Sequence, residues 1–149
     1  MIDDIDRKIL RLLQDDGRKT VTALAAEVGL TVAPCHRRLR DLEQAGVISG
    51  YRAVLDAPKV GLAFQALVFV TLKDRQNMRA FEEEVSVIPD IVEASRLFGE
   101  PDFLLKVMAA DLPSYQEFYD EVLVGLAGVE KLTSTIVMKS LKGAGGIPV

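Results

Sequence analysis

Residues 21–46, VTALAAEVGLTVAPCHRRLRDLEQAG, contain the pattern that decides the fold of the first part of the chain. Ala25 is a small residue inside a short apolar helix, and Gly29 follows four positions later, where a tight turn needs a residue that tolerates positive φ. Thr31 then caps a second helix, whose apolar residues at i, i+4 and i+7 are Cys35, Leu39 and Leu42. The spacing predicts two helices that cross at a glycine turn, as in a helix-turn-helix.

On the outward face of the second helix, the side chains are small at the N-terminal end and basic further along. It consists of Thr31, Val32, Ala33, His36, Arg37 and Arg40, with Arg38 at its flank. Small residues let a helix N-terminus enter a major groove about 12 Å wide, and long cations suit contacts to phosphates. The face therefore predicts binding of double-stranded DNA, and an ordinary helical hairpin with a solvated basic face is the alternative.

Charge and apolar runs divide the chain and exclude several classes of protein. The net charge is −4, yet residues 1–50 balance eight Lys and Arg against eight acids, so the acidic excess lies in residues 51–149. The longest apolar stretch, 63–72, is much shorter than the ~20 residues that cross a bilayer. With the acidic start MIDDIDRK, this favours a cytoplasmic protein without a membrane partner.

The composition argues against a catalytic site or a metal site. Cys35 is the only cysteine and His36 the only histidine, so we expect no disulfide, no metal site and no Ser/His or Cys/His nucleophile pair. We also find no cofactor motif. A ferredoxin-like enzyme acting on an amino or keto acid through Glu100 and Asp102 is a second hypothesis, but no histidine or lysine constellation supports it.

Beyond residue 46 the pattern changes from helical to extended. A strand at 48–55 is expected in a linker, followed by strands at 63–73, 92–98, 103–109 and 129–141 with helices at 77–88 and 112–126. The order β-α-β-β-α-β predicts an α+β protein with a ferredoxin-like second domain. The expected division is a helix-turn-helix domain at 1–47, a strand linker at 48–60, a ferredoxin-like domain at 61–142 and a C-terminal tail at 143–149. One face of such a sheet has no helices on it, which predicts a homodimer formed through the sheet.

Several stretches together resemble the Lrp/AsnC family, the feast/famine transcriptional regulators, and the likeness covers essentially the whole chain. They are Asp6-Arg7-Lys8-Ile9-Leu10, the run from Gly29 to Cys35, Gly46-Val47-Ile48-Ser49-Gly50-Tyr51, the run from Gly99 to Val107, Leu126-Ala127-Gly128-Val129 and Ile147-Pro148-Val149. The resemblance implies an amino-acid-sensing second domain, no cofactor, and dimers that assemble further into an octamer of four dimers. It also implies a DNA-binding regulator of amino-acid metabolism whose assembly changes when a free amino acid binds.

The resemblance also implies which residues hold the amino acid, whose identity stays open. The backbone N–H of Gly99 would face the ligand carboxylate and Asp102 would pair with the α-ammonium group, because a zwitterion taken from water needs both charges satisfied. Hydroxyls that could complete the polar shell are those of Thr133, Ser134 and Thr135. On spacing alone, Gly99 to Asp102 is an ordinary turn and the three hydroxyl residues are typical of a strand. Pro101 removes one donor from this loop. An architectural DNA-coating protein without an effector is the alternative function.

Overall fold

The computed structural model describes residues 1–143 and 145–149, which form two compact units. The helical unit contains Met1–Val54 together with Leu141–Val149, and the sheet unit contains Leu55–Ser140. None of the helices described is long and apolar enough to cross a membrane.

The helical unit contains three helices, α1 (Asp4–Asp15), α2 (Val21–Val28) and α3 (Val32–Gln44). Asp3 caps α1 by accepting a hydrogen bond from the N–H of Asp6, and the Asp6 side chain accepts one from the N–H of Asp3 in return. The core of the unit consists of Ile9, Leu10, Leu24, Ala25, Cys35 and Leu42. Each helix buries one apolar stripe, and together the three stripes close a small core.

The sheet unit has the β-α-β-β-α-β order that the sequence predicts, which confirms the ferredoxin-like fold class. Its elements are β1 (Phe64–Leu72), α4 (Met78–Ser86), β2 (Ile91–Arg96), β3 (Phe103–Ala109), α5 (Leu112–Glu121) and β4 (Val129–Ile136). The four strands form one antiparallel sheet in the order β2-β3-β1-β4.

Alternation along the central strands decides which sheet face is buried. The pairs Ala66 with Val107, Val68 with Leu105 and Val70 with Phe103 lie on the face that packs against Phe81 of α4 and Tyr115 of α5. The second face contains Leu67, Phe69, Leu104 and Met108, which are only half-buried.

Three predicted segments differ from the structure by more than two residues. Residues 48–55 form no strand, because they have no ladder partner among residues 1–143 and 145–149, and the side chains of Val54 and Leu55 are 85% and 69% exposed. β4 ends at Ile136 rather than 141, since β1 begins at Phe64 and the last bond there joins the N–H of Val137 to the carbonyl of Gln65. α5 ends at Glu121, and a short 3₁₀ turn at Leu123–Gly125 completes the predicted segment.

Candidate functional site

α3 presents the expected face to solvent. Thr31, Val32, Ala33, His36, Arg37 and Arg40 are all exposed, whereas Cys35 and Leu42 of the same helix are buried in the core. Thr31 occupies the N-cap position, but its side chain makes no capping hydrogen bond. Within residues 1–143 and 145–149, Arg37 and Arg40 form no ion pair, so α3 offers two cations directly to a ligand.

The turn before α3 depends on backbone conformation at Gly29. Gly29 has φ 74° and ends α2, and the N–H of Leu30 donates to the carbonyl of Ala25 at 2.9 Å. Apart from Gly29 itself and the adjoining backbone, no described atom lies within 4 Å of the position that a Cβ on Gly29 would occupy. Glycine is therefore favoured here by the positive φ and not by crowding.

Arg38, at the flank of this face, joins α3 to the start of α1. Its Nη1 donates to Asp3 Oδ2 at 2.7 Å and to Asp6 Oδ1 at 2.8 Å, an arrangement that we call the ion cluster. The N–H of Asp6, and then Arg38, lower the pKa of Asp3 below its ordinary value, and the two carboxylates raise the pKa of Arg38. The sequence shows acidic residues at the start of α1, but the spacing along the chain did not predict that Arg38 would contact Asp3 and Asp6.

Cys35 lies in the helix crossing and is fully buried. Burial raises the pKa of its thiol, which opposes formation of the reactive thiolate. The side chain thus acts as a small apolar residue between the helices.

The loop between β2 and β3 contains Gly99 and Asp102. Gly99 has φ 118°, a conformation that favours glycine, and the Glu100–Pro101 peptide is cis. Asp102 is tied to β1 at two points: its N–H donates to the carbonyl of Val70 at 2.9 Å, and its Oδ2 accepts from the N–H of Leu72 at 2.8 Å. One carboxylate oxygen of Asp102 therefore holds the end of β1.

The three hydroxyl residues of β4 do not share one face. Ser134 pairs with Val68 and its hydroxyl bonds to the hydroxyl of Tyr115, on the helix-covered side of the sheet. Thr133 and Thr135 pair with Phe69 and Leu67, so their side chains lie on the second face. The structure brings Thr133 and Thr135 together there and separates Ser134 from them.

A polar cleft of about 360 Å³ adjoins Asp102 at the end of the sheet. Its lining includes both signs of charge, contributed by Lys73, Asp74, Arg75, Glu100, Asp102 and Glu130. Such a lining suits a small zwitterion better than an apolar ligand, because each charge of the ligand needs a partner. The described residues contain no cluster of three or more His, Cys, Asp or Glu that could hold a metal ion.

Comparison with known proteins matches both units. The Lrp/AsnC ligand binding domain model covers residues 65–147, and a winged helix-turn-helix DNA-binding model covers residues 2–49. The chain is 43% identical to a leucine-responsive regulatory protein of Rhizobium meliloti, covering 96% of this chain and 93% of the relative. It is 36% identical to the DNA-binding transcriptional activator DecR of Escherichia coli K12, covering 100% and 99%.

A solved structure agrees with the fold. A transcriptional regulator of Neisseria meningitidis, solved as a complex with L-methionine, superposes with a TM-score of 0.92 at 34% identity, covering 96% of this chain and 94% of the other.

Proposed function

The chain belongs to the Lrp/AsnC family of transcriptional regulators, and from this premise we propose that it binds specific DNA sequences and regulates amino-acid metabolism. Its oligomeric assembly responds to a free amino acid. The observation that supports DNA binding most directly is the exposed face of α3, where Arg37 and Arg40 extend beside a small, apolar helix start.

On DNA, the N-terminal half of α3 enters the major groove. Val32 and Ala33 contact base edges, with Thr31 at the helix start, and His36 contacts a base or phosphate. Arg37 and Arg40 contact phosphates, and Arg38 reaches the backbone from the flank while Nη1 holds the ion cluster. A two-fold dimer would place two such helices in successive major grooves ~34 Å apart, so the expected site is roughly palindromic.

Ala33→Glu tests this interface in the full chain. It places a carboxylate on the exposed face of α3 without touching the core, so binding to DNA is expected to fall at least tenfold through charge repulsion. Ala80→Glu, on the exposed side of α4, makes the same change of charge and should leave binding intact. Equal effects of the two variants would mean that α3 does not face the duplex.

Competition separates this function from the architectural alternative. A palindromic site selected from random fragments should displace the protein from random DNA of equal length only if it reads sequence. Equal competition by both DNAs would instead show a protein that coats DNA without sequence preference.

The proposed effector is a free amino acid bound at the loop between β2 and β3. Support comes from the relative solved with L-methionine and from the mixed charges of the polar cleft. The N–H of Gly99 faces the ligand carboxylate. Asp102 meets the α-ammonium group through Oδ1, because Oδ2 accepts from Leu72.

The hydroxyls of β4 complete the polar shell of this site in different ways. Thr133 and Thr135 contribute from the second sheet face. Ser134 contributes only by exchanging its bond to Tyr115 for one to the ligand. No cofactor takes part.

The sheets of two protomers pair through their second faces, four dimers assemble further, and the amino acid binds between dimers. The ligand then acts by preferring one assembly over another.

Asp102→Asn tests the effector site better than Asp102→Ala does. Asparagine keeps an oxygen acceptor for the N–H of Leu72 but removes the negative charge that faces the ammonium group. A screen of free amino acids by thermal shift should identify one that stabilises the wild-type protein. Asp102→Asn should lose that shift while its unliganded melting temperature and basal DNA binding stay close to wild type. A retained shift would place the ammonium group elsewhere.

Sedimentation with and without the identified amino acid then tests assembly. The expected result is a ligand-dependent change in the population of species larger than a dimer. A monomer at micromolar concentration, or a ligand that binds without changing the distribution, would contradict the proposed mechanism.

A further inference from the structure

Residues 145–149, which we call the tail segment, lie against α1 inside the helical unit. Gln14 forms two hydrogen bonds with the main chain of Ile147: its Nε2 donates to the carbonyl at 3.1 Å, and its Oε1 accepts from the N–H at 2.6 Å. One turn earlier on α1, Arg11 Nη1 donates to the main-chain oxygen of Val149 at 2.7 Å. Two side chains of one helix thus bind the backbone of an extended peptide at three points.

The side chains of the tail segment differ sharply in their surroundings. Val149 packs against the helical core, whereas Ile147 is 71% exposed. Val149 is therefore the apolar anchor of the segment, and Ile147 contributes mainly through its main chain. Pro148 fixes its own φ and favours an extended Ile147, which lowers the entropy lost when the segment binds.

Close approach to α1 explains why a glycine precedes Ile147. A Cβ on Gly146 would lie 2.7 Å from Gln14 Oε1 and 2.8 Å from Gln14 Cδ. A larger residue would displace the Gln14 amide from the position in which it bonds to Ile147. The backbone bonds, the apolar anchor and the glycine together have the features of a peptide-binding site.

We propose that the surface of α1 formed by Arg11 and Gln14, with the adjoining edge of the helical core, is a binding site for the tail segment of the same chain. Occupancy of this site stabilises α1, which also provides Asp3 and Asp6 to the ion cluster on α3. The tail segment thus contributes to the stability of the helical unit. This role is independent of the amino-acid effector and of contact with DNA.

Chain connectivity gives the site a further consequence. The chain leaves the helical unit after Val54 and returns to it at Leu141, so two covalent connections join the units. When the tail segment is bound, the connections after Val54 and before Leu141 are both anchored to the helical unit. When the tail segment is released, only the connection after Val54 stays anchored there.

Hydrogen exchange in the full chain tests the site, because the Ile147 amide donates to Gln14. This amide should exchange about tenfold more slowly than in the free peptide, and Gln14→Ala or Arg11→Ala should remove most of that protection. Arg7→Ala is the matched control for Arg11→Ala, since it removes the same charge one turn away and should leave the protection unchanged. Wild-type exchange as fast as in the free peptide would overturn the proposal.

A second experiment supplies the tail segment in trans. A variant ending at Gly143 is titrated with the pentapeptide Gly-Gly-Ile-Pro-Val, and NMR should show saturable shifts concentrated on α1. The same peptide with valine in place of Gly146, or aspartate in place of Val149, should bind at least tenfold more weakly. Absence of shifts at millimolar peptide would refute the site. Protection of Ile147 that increases with the concentration of the full chain would assign the tail segment to a second copy and refute the same-chain proposal.

Discussion

The two units of this chain are stabilised in different ways. The sheet unit buries thirteen residues in one core between its sheet and two helices, whereas the core of the helical unit contains six buried residues among those that the structure describes. Both units also have polar bonds at their edges. In the helical unit these include the ion cluster, the Tyr51–Glu43 hydrogen bond and the bonds from α1 to the tail segment, and the sheet unit has ion pairs such as Arg79–Glu83.

This difference indicates how each unit responds to its surroundings. A small core supplies little stability, so peripheral polar bonds contribute a larger share in the helical unit. Among them, the ion cluster depends on charge, so salt weakens it by screening and acid weakens it by protonating its carboxylates. The DNA-binding unit should therefore be the condition-sensitive part of the protein, and the sheet unit the stable part.

Truncation of a core side chain gives the largest expected effect. Phe81 is fully buried and its ring centroid lies 4.6 Å from that of Phe103, so Phe81→Ala should cost the sheet unit about 3–5 kcal/mol. Leu24→Ala is the counterpart in the helical unit. Amide exchange measured for each unit should show the loss confined to the unit that carries the substitution. A simultaneous loss in both units would mean that they share one cooperative transition.

The second-largest effect is expected when the arginines proposed to contact phosphates are replaced by alanine. Arg37→Ala and Arg40→Ala should each lower the slope of log affinity for DNA against log salt by about one. Arg38→Ala should change the slope less, since Nη1 is engaged by Asp3 and Asp6, and should weaken affinity through the position of α3. Arg79→Ala, in the sheet unit, is the control for a removed surface cation. An unchanged slope in the double variant of Arg37 and Arg40 would remove both from the interface.

Acid should loosen the ion cluster before it affects the sheet core. The pKa of Asp3 is lowered in the folded protein, so its contribution to stability is complete above its ordinary value of 3.8 and is lost as the pH falls through the lowered value. The Asp6 amide, which donates to Asp3 Oδ1 at 2.9 Å, should lose protection a few-fold more than amides of β1 over this range. Asp3→Asn should remove most of this pH dependence, and an unaltered profile in that variant would exclude Asp3 as the titrating group.

The smallest effect is expected at Tyr51. Partial burial, and then the bond to Glu43, raise the pKa of Tyr51 to about 12. Because the protonated phenol is the bonded form, its contribution is complete below pH 10 and is lost as the pH rises through about 12. Tyr51→Phe should cost at most about 1 kcal/mol, because solvent screens a half-exposed side chain. Spectroscopic titration should show the highest-pH tyrosine step disappear in this variant, and its persistence would assign that step to another tyrosine.

Local patterns were enough to predict the order of helices and strands. The apolar period of α3 and the alternation along β3 each depend on residues close in sequence, so both elements agree with the structure to within a few residues. The expected strand at 48–55 was wrong because extended residues become a strand only when another strand supplies hydrogen bonds. Val54 and Leu55 are exposed, and the part of the chain that the structure describes supplies no such partner strand for them.

Contacts between distant residues were the part that sequence could not provide. Nothing near Arg38 signals that its guanidinium meets Asp3 and Asp6, more than thirty positions away. The bond from Leu72 to Asp102 likewise depends on how β1 and the loop before β3 meet in the folded sheet. The exposed face of α3 was predictable because it follows from the helical period alone. The DNA contacts and effector contacts assigned to these residues stay predictions.

The position of Val149 bears on how the protein matures during synthesis. It lies 138 residues downstream of Arg11, which at ~5–20 residues per second corresponds to a delay of roughly 7–28 s on the ribosome. During that interval the helices of the DNA-binding unit have emerged, but the valine that closes one edge of their core has not been made. An interrupted translation product would retain α3 with an unfinished core, and such a product should be a better substrate for cellular proteases than one that includes the tail segment.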